Sequence, residues 1–362
     1  TAVALFQQAS TAPSFGGGFK YPLRARGAAV PLTTLIWDED LRKMVWTNTL
    51  SHDKVLNFAP DYSIGSEAEI PTWVKPVKDI ERVAQIGLLR GLFWQPAHIK
   101  LEWEQIDDTC DLIGTPIKKG CKTFIKEKFN YSMDGIWSHP HSPRDFEKGF
   151  LALRANEPSW TNCYAYVYKD DDLERAGHIP AAVVSQAKML KSGQALHLIV
   201  GGYCNNQANV IERRHEMLSL GVGWERQDAE RLKSIIELLL DMRKNLSKKL
   251  YWLKKARPEK KLRGVGVDLT AEANRMFYQE TEQLVREGLQ KFTFQEAKVF
   301  QDELKKQCYS ICLNIYDDVT APFQHDTGMV AAIAEGRRSL GILMRAGMQS
   351  EEKKKNKTKE VK

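Results

Sequence analysis

The chain has 362 residues, of which 43% are hydrophobic and 27% charged, and its formal net charge is +7. That is ordinary for a soluble globular protein and long enough for two or more domains with sizeable cores. No apolar run approaches the roughly 20 residues of a membrane-spanning helix, and no secretory leader pattern is present. Six scattered cysteines do not form a disulfide framework, so a reducing cytoplasm is the expected setting.

In chain order, residues 1–12 read as an amphipathic helix, already under way at Thr1, which suggests a fragment lacking its natural N-terminus. "PSFGGGFKYPLRARG" breaks that pattern with proline and glycine. "VPLTTLIW" predicts a strand and "DEDLRKMVWTNTLSH" a helix entered through an acidic first turn. The end of "GLLRGLFWQPAHIKLEWE" alternates like a strand, as does "TFIKEKFNYSM", placing Phe124, Lys126, Lys128 and Asn130 on one face. "DGIWSHPHSP" is turn-rich, and "TNCYAYVYK" and "ALHLIV" are strand candidates. Between "LHLIV" and "VIERRHEML" lies "GGYCNNQAN", a tight turn tipped by amides.

After Gly223 the pattern becomes helical. Four blocks are predicted, at 225–256, 269–290, 294–318 and 327–347. The first carries Leu232, Ile236, Leu239, Leu246, Leu250 and Leu253 at helical spacing, interrupted by Arg243, as a bundle seam would. Asp268 or Thr270 can cap the second block, and Pro322 cannot continue the third. The predicted fold class is therefore α+β: a loop-rich mixed domain over 1–221, then a four-helix bundle over 222–350. The charged tail 351–362 is expected to be disordered.

Charge is unevenly spread. Residues 1–221 hold 25 basic and 25 acidic residues, so 222–362 carry the whole excess. Within 243–263 there are ten basic residues against one acid, Glu259. Such a strip suits a phosphate backbone, and equally a solvated helix face.

The candidates for chemistry are weak. His139 and His141 flank Pro140 with no carboxylate or cysteine at ligand spacing, so they read as a buried or turn-stabilising pair rather than a metal site. Cys110 and Cys121 could form half a zinc site but fit better as unpaired structural cysteines. Cys308 and Cys312, four apart on a helical stretch, fit a core-facing pair. "GGGFK" lacks the Lys-Ser/Thr of a phosphate loop. No catalytic residue, cofactor or metal is assigned.

"FGGGFK", "RGLFWQPAHI", "FIKEKF", "HPHSP", "GGYCNNQAN" with "ERRH", and a helical C-terminus occur in one order. This arrangement resembles the large subunit of the type I-E CRISPR Cascade surveillance complex, the CasA family, over nearly the whole chain. The resemblance implies a non-catalytic subunit that reads the protospacer-adjacent motif from the minor groove, opens the duplex and helps recruit a helicase-nuclease. Its implied partners are double-stranded target DNA, the backbone and small subunits of a guide-RNA complex, and that nuclease, with no membrane. The family's groove-inserted lysine falls on Lys128, with Lys126 meeting phosphate or solvent, and its glycine loop on Gly16 and Gly17. Ser14 stands where the family has the loop's first glycine. The family's wedge corresponds to Asn206, Gln207 and Ala208. The family carries a further N-terminal region that contacts guide RNA, and some full-length relatives bind zinc through paired cysteines that this chain does not reproduce.

The basic strip has no matching family motif. The hypothesis for Lys254, Lys255, Lys260 and Lys261 is that they steer DNA or hold the displaced strand. Two other function classes compete with this reading: a stand-alone nucleic-acid-binding helical-bundle protein, and a hydrolase using His139 and His141 with a metal.

Overall fold

A computed structural model describes residues 30–58, 67–78, 80–82, 85–94, 97–128, 132–134, 137–145, 149–169, 177–206, 209–225, 229–255, 262–291 and 297–359. The predicted helix 1–12 and the glycine run 16–18 lie outside them. The chain divides into two compact units, one built from 1–155, 165–190 and 198–217, the other from 156–164, 191–197 and 218–362.

The first unit centres on a three-stranded sheet in the order β1 (Thr33–Ile36), β9 (Leu196–Asn206), β10 (Asn209–Leu220). β1 runs antiparallel to β9, pairing Thr33 with Gly201 and Ile36 with Leu198. Alternation buries Leu32, Thr34 and Ile36 with Leu198 and Val200. Helix α5 (Ala182–Leu190) packs on β1 and buries Val183, Val184 and Ala187. The helix predicted over 38–52 is shorter, α1 (Leu41–Thr47), and a second short helix, α2 (His52–Phe58), follows it. Asn48 makes the break. Its Oδ1 accepts the Ile36 N–H at 2.9 Å, and its Nδ2 donates to the carbonyls of Ile36 (2.7 Å) and Met44 (2.8 Å). One side chain thus ends α1 and ties it to the strand.

"RGLFW" forms α3 (Leu88–Leu92) with Phe93 and Trp94. The Glu69 carboxylate accepts the Leu88 and Leu89 N–H groups at 3.0 and 2.6 Å, satisfying two orphan donors at the helix start. Buried Arg90 donates to the carbonyls of Ile70 (2.7 Å) and Lys75 (3.0 Å) and stacks over Trp94. A Cβ at Gly91 would overlap the Trp137 indole, whose Nε1 donates to the Ile86 carbonyl at 3.1 Å. The motif is a packing knot. From it leads β3 (Ala97–Thr109), paired with β4 (Pro116–Lys128).

"HPHSP" is a backbone junction. The carbonyls of Pro140, His141 and Pro143 accept the N–H groups of Val183, Thr34 and Leu151. His139 Nδ1 accepts the His141 N–H at 3.1 Å and lies 3.2 Å from Ser142 Oγ. Burial holds the His139 imidazole neutral, down to about 3, and lowers His141 too. Smaller pairings complete the unit: β2 (Ile80–Arg82) parallel to β5 (Ser132–Asp134), and β6 (Arg144–Asp145) between β7 (Gly149–Phe150) and β8 (His178–Ile179). The strand expected at 161–169 is instead the end of a 3₁₀ turn and a helix, α4 (Cys163–Val167). Cys163 and 165–168 are all buried, and a short apolar run buried on every side carries no period to separate strand from helix.

The second unit contains α6 (Ala229–Leu253), α7 (Thr270–Lys291), α8 (Ala297–Thr320) and α9 (Thr327–Lys359). α6 and α8 each pack against the other three helices, leaving α7 and α9 on opposite corners. All six predicted seam residues of α6 are buried. Arg243 interrupts the seam because its guanidinium lies 5.4 Å from the Tyr278 ring of α7. Cys308 and Cys312 face the core of α8, and burial raises both thiols. Tyr316 donates to the Ile333 carbonyl at 3.0 Å, and Arg337 clasps Asp317 at 2.6 and 2.7 Å, fastening α8 to α9. Asp268 is the acceptor at the start of α7, taking the Thr270 N–H at 3.0 Å. Helix α9 continues to Lys359, through much of the stretch expected to be disordered. That stretch has low apolarity but strong helix formers, including Glu351 and Lys355 one turn apart.

Candidate nucleic-acid interface

Two hairpins carry the predicted groove lysines and the predicted wedge. In the first, β9 ends at Asn206 and β10 begins at Asn209, so Gln207 and Ala208 are the two intervening positions and lie outside the described residues. Of the predicted wedge triplet, only Asn206 is within a described strand. Asn205 Oδ1 accepts the Val30 N–H at 2.9 Å, tethering the hairpin to the chain entering β1. The paired glycines before it permit close approach. A Cβ at Gly201 would stand 3.1 Å from the His215 Cβ, and one at Gly202 would stand 3.4 Å from the Leu32 Cα. "ERRH" braces the other strand: Arg214 lies 3.1 Å from Glu216 and donates to the Arg154 carbonyl at 2.9 Å. Sequence reasoning missed Asn205 and Arg214 as anchors, because their partners lie far away in sequence.

The second hairpin is the β3–β4 ribbon. Its register pairs Ala97 with Lys128, Ile99 with Lys126, Leu101 with Phe124 and Trp103 with Cys121. Phe124, Lys126 and Lys128 therefore occupy alternate positions of one continuous strand, as the alternation predicted; Asn130 is outside the described residues. Ile99 anchors the root by burial. Beyond it the ribbon is largely exposed, with bulges between Glu102 and Trp103 and between Gln105 and Asp108 that add local twist. Lys119 sits 5.7 Å from the centroid of the exposed Trp103 ring. Cys110 and Cys121 are half-exposed free thiols, and among the described residues no group of three or more His, Cys, Asp or Glu gathers to hold a metal.

The basic strip is more divided than its composition suggests. Lys249 is buried and donates to Ser339 Oγ at 2.6 Å. Lys254 lies 3.4 Å from Asp268, and Arg263 lies 2.9 Å from Asp326. With Arg243 on Tyr278, four of the ten basic residues tie the bundle to itself. Lys255 remains exposed, over Tyr251. Lys260 and Lys261, like Gly16 and Gly17, lie outside the described residues.

The model of the CRISPR-associated protein Cse1 family matches residues 1–315. The chain belongs to the Cse1 family. Solved structures agree on the fold. Thermus thermophilus CasA (Cse1) is 15% identical with a TM-score of 0.61, covering 88% of this chain and 64% of its own. Thermobifida fusca Cse1 is 13% identical with a TM-score of 0.58, covering 86% and 62%. A chain of a CRISPR RNA-guided surveillance complex is 13% identical with a TM-score of 0.59, covering 92% and 66%. The chain thus spans just under two thirds of the length of these three chains. No helix among its described residues is long and apolar enough to cross a membrane.

Proposed function

We propose that this protein is a non-catalytic, cytoplasmic subunit of an RNA-guided antiviral DNA surveillance complex. It recognises the protospacer-adjacent motif from the minor groove, wedges the target duplex open and helps recruit a helicase-nuclease. Family membership across residues 1–315 is the observation that carries this reading. Lys128, with Gly16 and Gly17, reads the groove. The minor groove offers mostly acceptors, so a cation and closely approaching backbone amides match it. Asn206, Gln207 and Ala208 form the wedge. A small uncharged tip between two strands suits insertion at a base step, and unstacking that step costs a few kcal/mol. Pairing of guide with target then replaces the lost duplex in a nearly balanced exchange. Lys126, Lys255, Lys260 and Lys261 act on DNA phosphates or on the displaced strand, whereas Lys254 is engaged by Asp268. The tethers at Asn205 and Arg214 support the wedge by holding its strands rigid.

Reconstitution tests this. Full-length protein is added to guide-RNA complexes lacking a large subunit, and binding is compared on targets with and without the motif. The expected result is motif-dependent binding that Lys128→Ala weakens. Equal binding to both targets would instead mark a stand-alone nucleic-acid-binding protein.

A further inference from the structure

We propose that the C-terminal end of α6 is a stacking platform for unpaired bases of a nucleic-acid strand, built on Tyr251 and Trp252. Both rings are about half exposed, at 48% and 47%, although each is large enough to bury. Lys244, Lys248, Tyr251, Trp252 and Lys255 fall at helical spacing on one outward stripe, opposite the buried Leu246, Leu250 and Leu253. No acid interrupts this stripe from Lys244 to Lys255. The Lys248 ammonium lies 5.6 Å from the Trp252 centroid, and Lys255 lies 6.0 Å from that of Tyr251. Neither these two nor Lys244 makes an ion pair among the described residues.

The platform is also braced. Lys249, fixed to Ser339 of α9, sits 4.7 Å from the Trp252 centroid, so the indole rests on the bundle. Preorganised rings lose little freedom on binding. Cations alone would suit duplex and single strand equally. Exposed aromatic rings favour the single strand, because a duplex keeps its base faces within the stack. The proposal deepens the functional reading and rests on it for the source of the strand: opening a duplex releases one.

The test uses the full chain and fluorescence anisotropy with an oligothymidylate of about 20 nucleotides, an oligouridylate of equal length and a duplex. Tyr251→Ala/Trp252→Ala should weaken oligothymidylate binding roughly 10- to 100-fold and leave duplex binding within about threefold. Tyr251→Phe/Trp252→Phe should retain wild-type binding, which separates stacking from disturbed packing. Lys244→Gln/Lys248→Gln/Lys255→Gln should lower the single-strand salt slope by about 2. Oligouridylate should follow oligothymidylate, since every base has a stacking face. Undiminished oligothymidylate binding by the double alanine variant, or no preference of the wild type for single strands, would overturn the platform. In reconstituted complexes, 4-thiothymidine in the displaced strand should crosslink to residues 251 or 252. Intact duplex opening without that crosslink would overturn the assignment to this strand. Platform-dependent oligonucleotide binding in a protein that opens no duplex would instead sink the functional reading and leave the platform standing.

Discussion

The four-helix bundle and the β3–β4 ribbon spend their apolar residues in opposite ways. The bundle hides a complete seam on α6, whereas the ribbon leaves Leu112, Trp103 and Phe124 at 90%, 60% and 59% exposure. A two-stranded ribbon has little stability of its own in water, so this one depends on its root: buried Ile99, and the knot of Arg90, Gly91 and Trp137 just before it. The bundle supplies stability. The ribbon instead leaves large apolar side chains in solvent, which contribute little burial to the fold.

Substitutions can break or sharpen this contrast. The largest effect is expected in the seam, where Leu246→Ala should cost about 2–5 kcal/mol in denaturant unfolding through lost burial and the cavity left behind. Gly336→Ala comes next. Alanine in a helix normally gains about 0.5–1 kcal/mol over glycine, but here its Cβ overlaps the Tyr316 hydroxyl. Overpacking at about 1–3 kcal/mol should win, and Tyr316→Phe in the same background should recover part of the loss. Acid gives a smaller effect within the first unit. His139 is held neutral when folded but binds a proton in the unfolded chain below about 6.5. Stability should therefore be level above pH 7 and decline as pH falls through 6 and 5, flattening only near 3. His139→Asn should make the melting-temperature profile shallower between pH 7 and 5, where carboxylates stay ionised, leaving the smaller decline that buried His141 adds. Trp103→Thr should be the mildest, shifting stability by about 0.5 kcal/mol or less. A multi-kcal loss there would mean that the ribbon is part of the core.

The seam was legible because a helix repeats every 3.6 residues and core positions recur with that period. Parts of the two ribbon strands were legible, near 97–104 and 123–128, because alternation survives even where both faces are wet, but their pairing was not. The knots were not. Gly91 meets Trp137, Asn205 meets Val30 and Asn48 meets Ile36, and no local pattern announces a partner at such separations. Composition misled at 243–263, where ten basic residues suggested one charged face. Folding turned Arg243, Lys249, Lys254 and Arg263 toward partners within the bundle and left a narrower stripe bearing two aromatics.

Permanganate reactivity of the thymines next to the motif, in reconstituted complexes bound to target, tests the central claim most directly, because it reports duplex opening apart from binding. With Gln207→Ala, initial binding should hold within about threefold while reactivity falls by at least about tenfold, the loss expected when a wedge no longer offsets unstacking. Wild-type reactivity from the Gln207→Ala protein would contradict the account.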